Sequence, residues 1–291
     1  VRGAAWRAAA PAADAPAAHA LAEAVAAGRA DSIRQLPSAA REAMAVCDDP
    51  RSGSADLARV CERDLAVAPA LLRYANSVFF ARPGQAPAAS VREAVDRVGV
   101  AGVRTVLVDV TVAALLCGPK SRHAGLTAQL WAHGQRTAAL ARAVAGALGA
   151  QPERAYVAGL LHDVGKLVLL DRAGEVAAGL SWPTLRAALL ALHEPLGGLA
   201  VQRWGLGEDV AVAVATHHRA APDAPGPRDA LGEAVFLAER VDHLVAAGEP
   251  VDLDALWAAG ALGGDQERAA AALARHLGPV LTLAEPAEAV G

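Results

Sequence analysis

The sequence predicts an all-α protein, and three observations predict it. The apolar fraction is 54%, but alanine supplies much of it, and alanine is the strongest helix former because it has no rotamer freedom to lose. Aromatic residues make up only 3% of the chain, and runs rich in Val, Ile, Thr and Tyr with period-two alternation are scarce, which argues against a large sheet. Apolar residues instead recur at steps of three and four along most of the chain. With 291 residues, the chain can bury one extended core or two smaller ones.

In chain order, "VRGAAWRAAAPAADAPAAHA" is Ala/Pro-rich without a continuous apolar core, so residues 1–30 are expected to be a mobile tail and not a secretory signal. Ser54 then precedes "ADLARVCERDLA", where Leu57, Val60, Cys61 and Leu65 keep helical spacing. Pro69 is expected to open the next helix, "ALLRYA", and Asn76-Ser77 to stop it. Ser90 and Glu93 form a candidate capping box ahead of "VREAVDRVG", with Gly99 as the stop. The run from Val100 to Cys117 reads as a buried helix, with a strand as the alternative because of its β-branched residues. "CGPKSRHAG" breaks the pattern and is the best internal boundary. Beyond it Leu130, His133, Thr137, Leu140, Val144 and Leu148 line one face of a long helix closed by Gly149. Pro152 suits the first turn of the next helix, which carries "GLLHDVGKL". Further helices are expected over "HEPLGGLAVQRWG", "GEDVAVAVATHHRA" and "ALGEAVFLAERVDHLVAAG", with "APDAPGPRD" as a loop. Two short helices and a frayed tail complete the chain.

Composition excludes several classes. A net charge of -4 and a pI near 6.1, without any compact Lys/Arg block, leave no electrostatic footprint for nucleic acid. Cys47, Cys61 and Cys117 are odd in number and lack CxxC spacing, which fits buried free thiols in a reduced compartment. The oily run from Val106 to Leu116 is too short to span a bilayer and carries Asp109. A cytoplasmic protein without membrane contact is expected. Neither a P-loop nor a GxSxG elbow occurs, and no organic cofactor is expected.

The histidines carry the chemistry. His133 lies on the apolar stripe of its helix, His162 and Asp163 sit inside an oily run, His193 shares a face with Leu196, and His217 and His218 end the Val210–Val214 stripe. A buried imidazole needs a partner for each ring nitrogen, and a metal ion satisfies several at once. Glu239 and Asp242, three residues apart, can add a carboxylate. An imidazole-dominated set favours one or two ions of Fe, Mn, Zn or Ni over Mg or Ca. His19, His123, His243 and His276 fall outside the pattern.

"HDVGK" resembles the motif of HD phosphohydrolases, metal-dependent helical enzymes. More specifically, "LPSA", "LLRYANSVFF", "SVREAVDRVG", "LWAHGQRTAALA", "AYVAGLLHDVGKLVL", "HEPLGGLAVQRWGL" and "ATHH" occur in the order found in HDOD domains, HD-related output domains of bacterial signalling proteins, over roughly residues 33 to 245. The resemblance implies an N-terminal helical bundle packed on an HD-like helical bundle. It places an N-terminal lobe at residues 31–118, an HD-like lobe at 119–250 and a C-terminal extension at 251–291. It also implies a signalling role through protein partners, with a nucleotide or phosphoester as a further ligand.

Carried over by residue, the resemblance makes His133, His162, Asp163, His193, His217, His218 and Glu239 the metal set, with Asp242 as the alternative last carboxylate. Asp163 and Lys166 take the catalytic positions, the lysine facing a substrate phosphate in catalytic relatives; a lysine snorkelling from a helix end is the other reading. Two departures weigh against hydrolysis of cyclic-di-GMP. The chain reads "RAAPDAPGPRD" where those phosphodiesterases carry a Gly-Tyr-Pro loop, and Glu239 stands where they have aspartate. A regulatory docking module is therefore the first expectation and a metal-dependent phosphohydrolase the second.

Overall fold

The computed structural model describes residues 33–80, 84–117, 123–176, 181–218, 229–260 and 262–277, without the side chains of 172–176. The expected N-terminal tail, the Pro-rich loop after His218 and the C-terminal tail lie outside the described residues, as does the centre of the "CGPKSRHAG" boundary. Among the described residues every regular element is an α-helix. The segment after Gly99, for which a strand was the alternative, is helical too. The chain divides into two compact units, one of residues 35–118 and the other of residues 1–34 with 119–291.

The first unit contains α1 (Ser38–Asp48), α2 (Ser54–Glu62), α3 (Val67–Ala75) and α4 (Val91–Leu116), with the first three packed on α4. Its boundaries depart from the sequence reading for local reasons. Gly53, not Ser54, precedes the first turn of α2, and its N–H donates to the Asp56 carboxylate at 3.1 Å. The helix ends at Glu62 because Asp64 accepts the N–H groups of Ala66 and Val67 and starts α3. Leu65, expected on the apolar stripe, is consequently 94% exposed. Pro69 lies in the first turn of α3, where a missing N–H costs nothing.

Ser90 caps α4 as expected, accepting from the Glu93 N–H, while the Glu93 carboxylate takes the N–H of Ala89. Gly99 stops the first helical segment as expected, at the non-helical φ 69° and ψ -177°, and a second segment follows across this kink, so that α4 is two helices joined there. Taken together, α4 has the length and apolar composition of a membrane span, but half of its apolar window is buried within the protein. Val95, Val103, Val106 and Val112 are buried within this unit. Cys61 is buried and Cys47 and Cys117 half-buried, all three as free thiols that burial pushes up to about 11.

The second unit contains α5 (Ala124–Ala145), α6 (Pro152–Leu161), α7 (Val164–Val176), α8 (Trp182–Arg203), α9 (Glu208–Thr216), α10 (Ala230–Ala247), α11 (Leu253–Gly260) and α12 (Gln266–Leu277). α5 packs along α6 and α10, and α8 along α7 and α9. Leu169 and Leu170 of α7 meet Leu185, Leu189, Leu192 and Leu196 of α8 in one buried cluster. α8 begins eleven residues before His193 and carries Pro195 in its interior, where the proline ring would ordinarily mark a boundary. His162 and Asp163 occupy the break between α6 and α7, not a helix interior.

Gly165 explains how α7 reaches α8. A Cβ at this position would lie 1.9 Å from the His193 carbonyl oxygen, so only glycine allows the approach that brings His193 beside Asp163.

Candidate metal centre

Four helix ends or interiors deliver the histidines. His162 is fully buried, His193 is 1% exposed and His217 is fully buried. Each anchors its Nδ1 on its own helix: His162 donates to the Gly159 carbonyl at 2.7 Å, and His217 to Val214 at 2.8 Å. His193 donates to Leu189 and Leu190, at 2.9 and 3.1 Å. A carbonyl only accepts, so in all three rings Nδ1 carries the proton and Nε2 presents a lone pair.

Those lone pairs converge on Asp163. Its Oδ1 lies 3.6 Å from His193 Nε2 and 3.9 Å from His217 Nε2, and its Oδ2 lies 3.6 Å from His162 Nε2. These separations are too long for hydrogen bonds. Ligands at ~2.1 Å from a metal stand about 3.0 to 3.4 Å apart in octahedral or tetrahedral geometry, so these side chains would draw together by a few tenths of an ångström to hold an ion. Asp163 Oδ1, His193 Nε2, His217 Nε2 and Glu239 Oε2 are all buried without a hydrogen-bond partner. Leaving one such group unpaired costs about 1–3 kcal/mol; a cation between Asp163, His193 and His217 would satisfy three of them, while Glu239 groups with His162 and His217.

A fourth histidine tells the same story from the other side. His133 Nδ1 donates to Asp242 Oδ2 at 2.6 Å, and its Nε2 faces His162 Nε2 at 3.1 Å. Two lone pairs meeting head-on repel unless a proton or metal ion lies between them. Asp242 is in turn held by Arg136 through both oxygens, at 2.7 and 3.1 Å, a carboxylate behind a ligand histidine. Glu239, 2% exposed, points an unpaired oxygen at the cluster, 3.4 Å from His218 Nδ1. Of the two carboxylates left open by the sequence, Glu239 is thus the one facing the ligand atoms, while Asp242 positions His133. The His218 backbone N–H donates to Glu194.

Electrostatics follows the burial. Burial pulls His162 down to about 3 and His218 to about 4, and His193 and His217 are lowered too, chiefly by the same desolvation. These rings are neutral at pH 7, the form that binds metal. Burial opposes ionisation of Asp163, but the His162 and Lys166 side chains overcome it and hold the carboxyl well below its ordinary range. Burial, with the Asp163 charge, pushes Glu239 up to about 8. The Lys166 ammonium lies 2.5 Å from Asp163 Oδ2 and is 15% exposed, so it turns inward and does not snorkel to solvent.

Side chains of four overlapping groups have ligand atoms within 4.8 Å of one another: Asp163, His193, His217 and His218; His133, His162 and Asp163; His162, His217 and Glu239; and His133, Glu239 and His243. Every residue of the sequence-derived ligand set falls in at least one. The sequence reading passed over two participants, Arg136 and His243, which stacks on His133 with centroids 4.9 Å apart. Their signal was positional: Arg136 is one turn after His133, and His243 one turn after Glu239. A groove of about 850 Å³ between α5, α10 and α12 has the Arg136–Asp242 pair in its wall.

Comparison with known proteins agrees with this architecture. The HDOD domain model matches residues 33–220. The chain belongs to the HDOD family. Within reach of this HDOD chain is an uncharacterised protein of Treponema pallidum (strain Nichols), 30% identical over 211 residues. That match takes in 68% of this chain but 40% of the relative's length, so the chain spans less than half of the curated relative it matches. A provisionally named metal-dependent phosphohydrolase from Shewanella amazonensis SB2B has the same fold, with a TM-score of 0.68 at 19% identity, over 88% of this chain and 98% of the other. A provisionally named signal transduction protein from Marinobacter aquaeolei VT8 aligns with a TM-score of 0.57 at 24% identity, over 84% of this chain and 57% of the other.

Proposed function

We propose that this HDOD chain is a bacterial signalling module that acts in the cytoplasm by docking partner proteins and retains a metal-loaded HD centre. The observation that carries the metal is the set of unpaired buried ligand atoms on Asp163, His193, His217 and Glu239. A purely structural core has no reason to leave four such acceptors unpaired within one cluster of histidines. The signalling half rests on family membership and on the name of the Marinobacter relative. The imidazole-rich donor set selects Mn, Fe, Ni or Zn.

Elemental analysis of the untagged protein, metal-loaded and desalted, is the direct test. The double variant His162→Ala, Asp163→Ala should lose metal while keeping its helix content by circular dichroism; full retention of metal would reject the assignment. Saturating metal at about 100 times Kd should stabilise the native protein by about 2.7 kcal/mol, raising Tm by roughly 5–10 °C, and leave the double variant unmoved.

A second reading, phosphoester hydrolysis, is favoured by Lys166. Its ammonium sits beside Asp163 at the edge of the ligand cluster, where a positive charge can stabilise a developing phosphoryl anion. A bound ion would polarise the phosphoryl oxygen and lower the pKa of water. Under this reading the neutral histidines hold the ion, Lys166 binds the anion and the buried walls exclude bulk water. Turnover of p-nitrophenyl phosphate or its bis ester by loaded protein, lost in Lys166→Ala, would establish it. No turnover above the double variant would leave docking alone.

A further inference from the structure

We infer that the groove between α5, α10 and α12 is a binding site for a medium-chain carboxylate, with the acid head on Arg136 and the alkyl chain along the helix sides. The site needs no ion, so the inference stands apart from the metal-centre reading.

The walls follow from helical spacing. On α5, Ala132, Arg136 and Leu140 stand four residues apart with Ala139 beside them, and so share one face. On α10, Asp242, Val245 and Ala246 do the same, and Leu277 at the end of α12 completes the lining. Ala132, Ala139 and Ala246 each bring only a methyl group to this wall. The space left is about 850 Å³, within the range that encloses a small organic molecule.

Arg136 supplies the recognition. Asp242 takes its Nε and Nη2 N–H groups, at 2.7 and 3.1 Å. A guanidinium carries five N–H donors, and among the described residues no other acceptor meets this one. The Arg136 side chain is 53% exposed and that of Asp242 only 4%, with Asp242 shared by His133 behind it. The pair therefore presents its cationic member to the groove. His276 also lines it, but burial lowers that ring, which is neutral at pH 7. A planar carboxylate can accept two N–H groups of one guanidinium. A phosphate dianion would set a second negative charge against Asp242.

The apolar walls decide the rest of the ligand. They are the sides of helices, whose backbone N–H and C=O groups are bonded along their own axes. An extended peptide laid against them would bury its own backbone groups without partners. An alkyl chain has none to satisfy, and gains by leaving water.

The experiment titrates decanoate into the whole chain by calorimetry, below the micelle threshold, after the protein is stripped of metal with chelator and of lipid on a hydrophobic resin. Saturation near one molecule per chain is expected. Decanol keeps the chain without the charge and should bind at least about tenfold more weakly, the loss of a hydrogen bond to a charged group. Decyltrimethylammonium should not bind. Arg136→Met should weaken decanoate by at least about tenfold and erase its advantage over decanol. Ala246→Phe, at an exposed helix position, should fill the groove and abolish binding with helix content unchanged by circular dichroism. No saturable binding by the wild type, equal binding of decanol and decanoate, or undiminished binding by Ala246→Phe would overturn the inference. Should Arg136→Met misfold, the head-group series on the wild type decides. An added peptide of residues 278–291, which carries Val280, Leu281 and Glu285, tests a protein occupant. Its binding in place of decanoate would also overturn the inference.

Discussion

Among the described residues, the unit of residues 35–118 buries two polar side chains, Thr105 and Thr111, and Thr105 returns its hydroxyl to the Ala101 carbonyl of its own helix. The unit containing residues 119–291 buries His162, Asp163, His193, His217, Glu239 and Asp242 together. Both have cores of Leu, Val and Ala, so hydrophobic burial drives both. Unpaired buried atoms occur in the first unit too, on the Ser77 hydroxyl and Arg97 Nε, but they belong to no group of metal-ligand type. In the second unit the unpaired atoms of Asp163, His193, His217 and Glu239 are acceptors gathered in one cluster. The difference teaches that packing alone accounts for one core, whereas the other gathers ligand-type atoms that the proposed cation would satisfy.

Substitutions can sharpen that comparison. Leu71 is fully buried in the first unit, and Leu71→Ala should cost about 2–5 kcal/mol by chemical denaturation without changing metal content. A loss of metal in that variant would show that the two cores are not independent. Gly165→Ala should act in reverse. By forcing α7 away from the His193 carbonyl, it should weaken metal binding about 10–100-fold, the range seen when ligand support is disturbed, measured by competition with a chromogenic chelator. Unchanged affinity would mean that the close helix contact does not position His193.

Glu239 offers a pH test on metal-free protein. Its carboxyl is raised from 4.5 to about 8 in the fold, so the native state holds a proton that the unfolded chain releases earlier. That contribution to stability is complete below pH about 4.5 and is lost as pH rises through about 8. Glu239→Gln should therefore remove a decline in stability between pH 5 and pH 8 that the wild type shows in chelator. Parallel pH profiles for the two proteins would contradict the assignment. The smallest effect belongs to the first unit again: Ser90→Ala, which removes the cap of α4, should cost about 1 kcal/mol.

Much of the centre was legible because its residues violate the patterns around them. His162 and Asp163 interrupt an apolar run, and His133, His193 and His217 stand on stripes that should be oily. Cost of burial makes such exceptions visible. Boundaries were less legible where a side chain outbid the periodicity. Asp64 captured two backbone N–H groups and cut α2 short, and α8 ran through Pro195.

By itself the sequence determined the helical class, through alanine content and three-four periodicity, and singled out the histidines that gather at the candidate centre, through their misplacement in oil. Tertiary structure alone decided which carboxylate faces the centre. Glu239 and Asp242 are one turn apart on the same helix, and either could serve until α5 packed against α10 and set His133 and Arg136 on Asp242. Helical periodicity specifies a face, but the partner across that face comes from another part of the chain. The same packing brought His243 onto His133, a contact between residues 110 positions apart that no local pattern encodes.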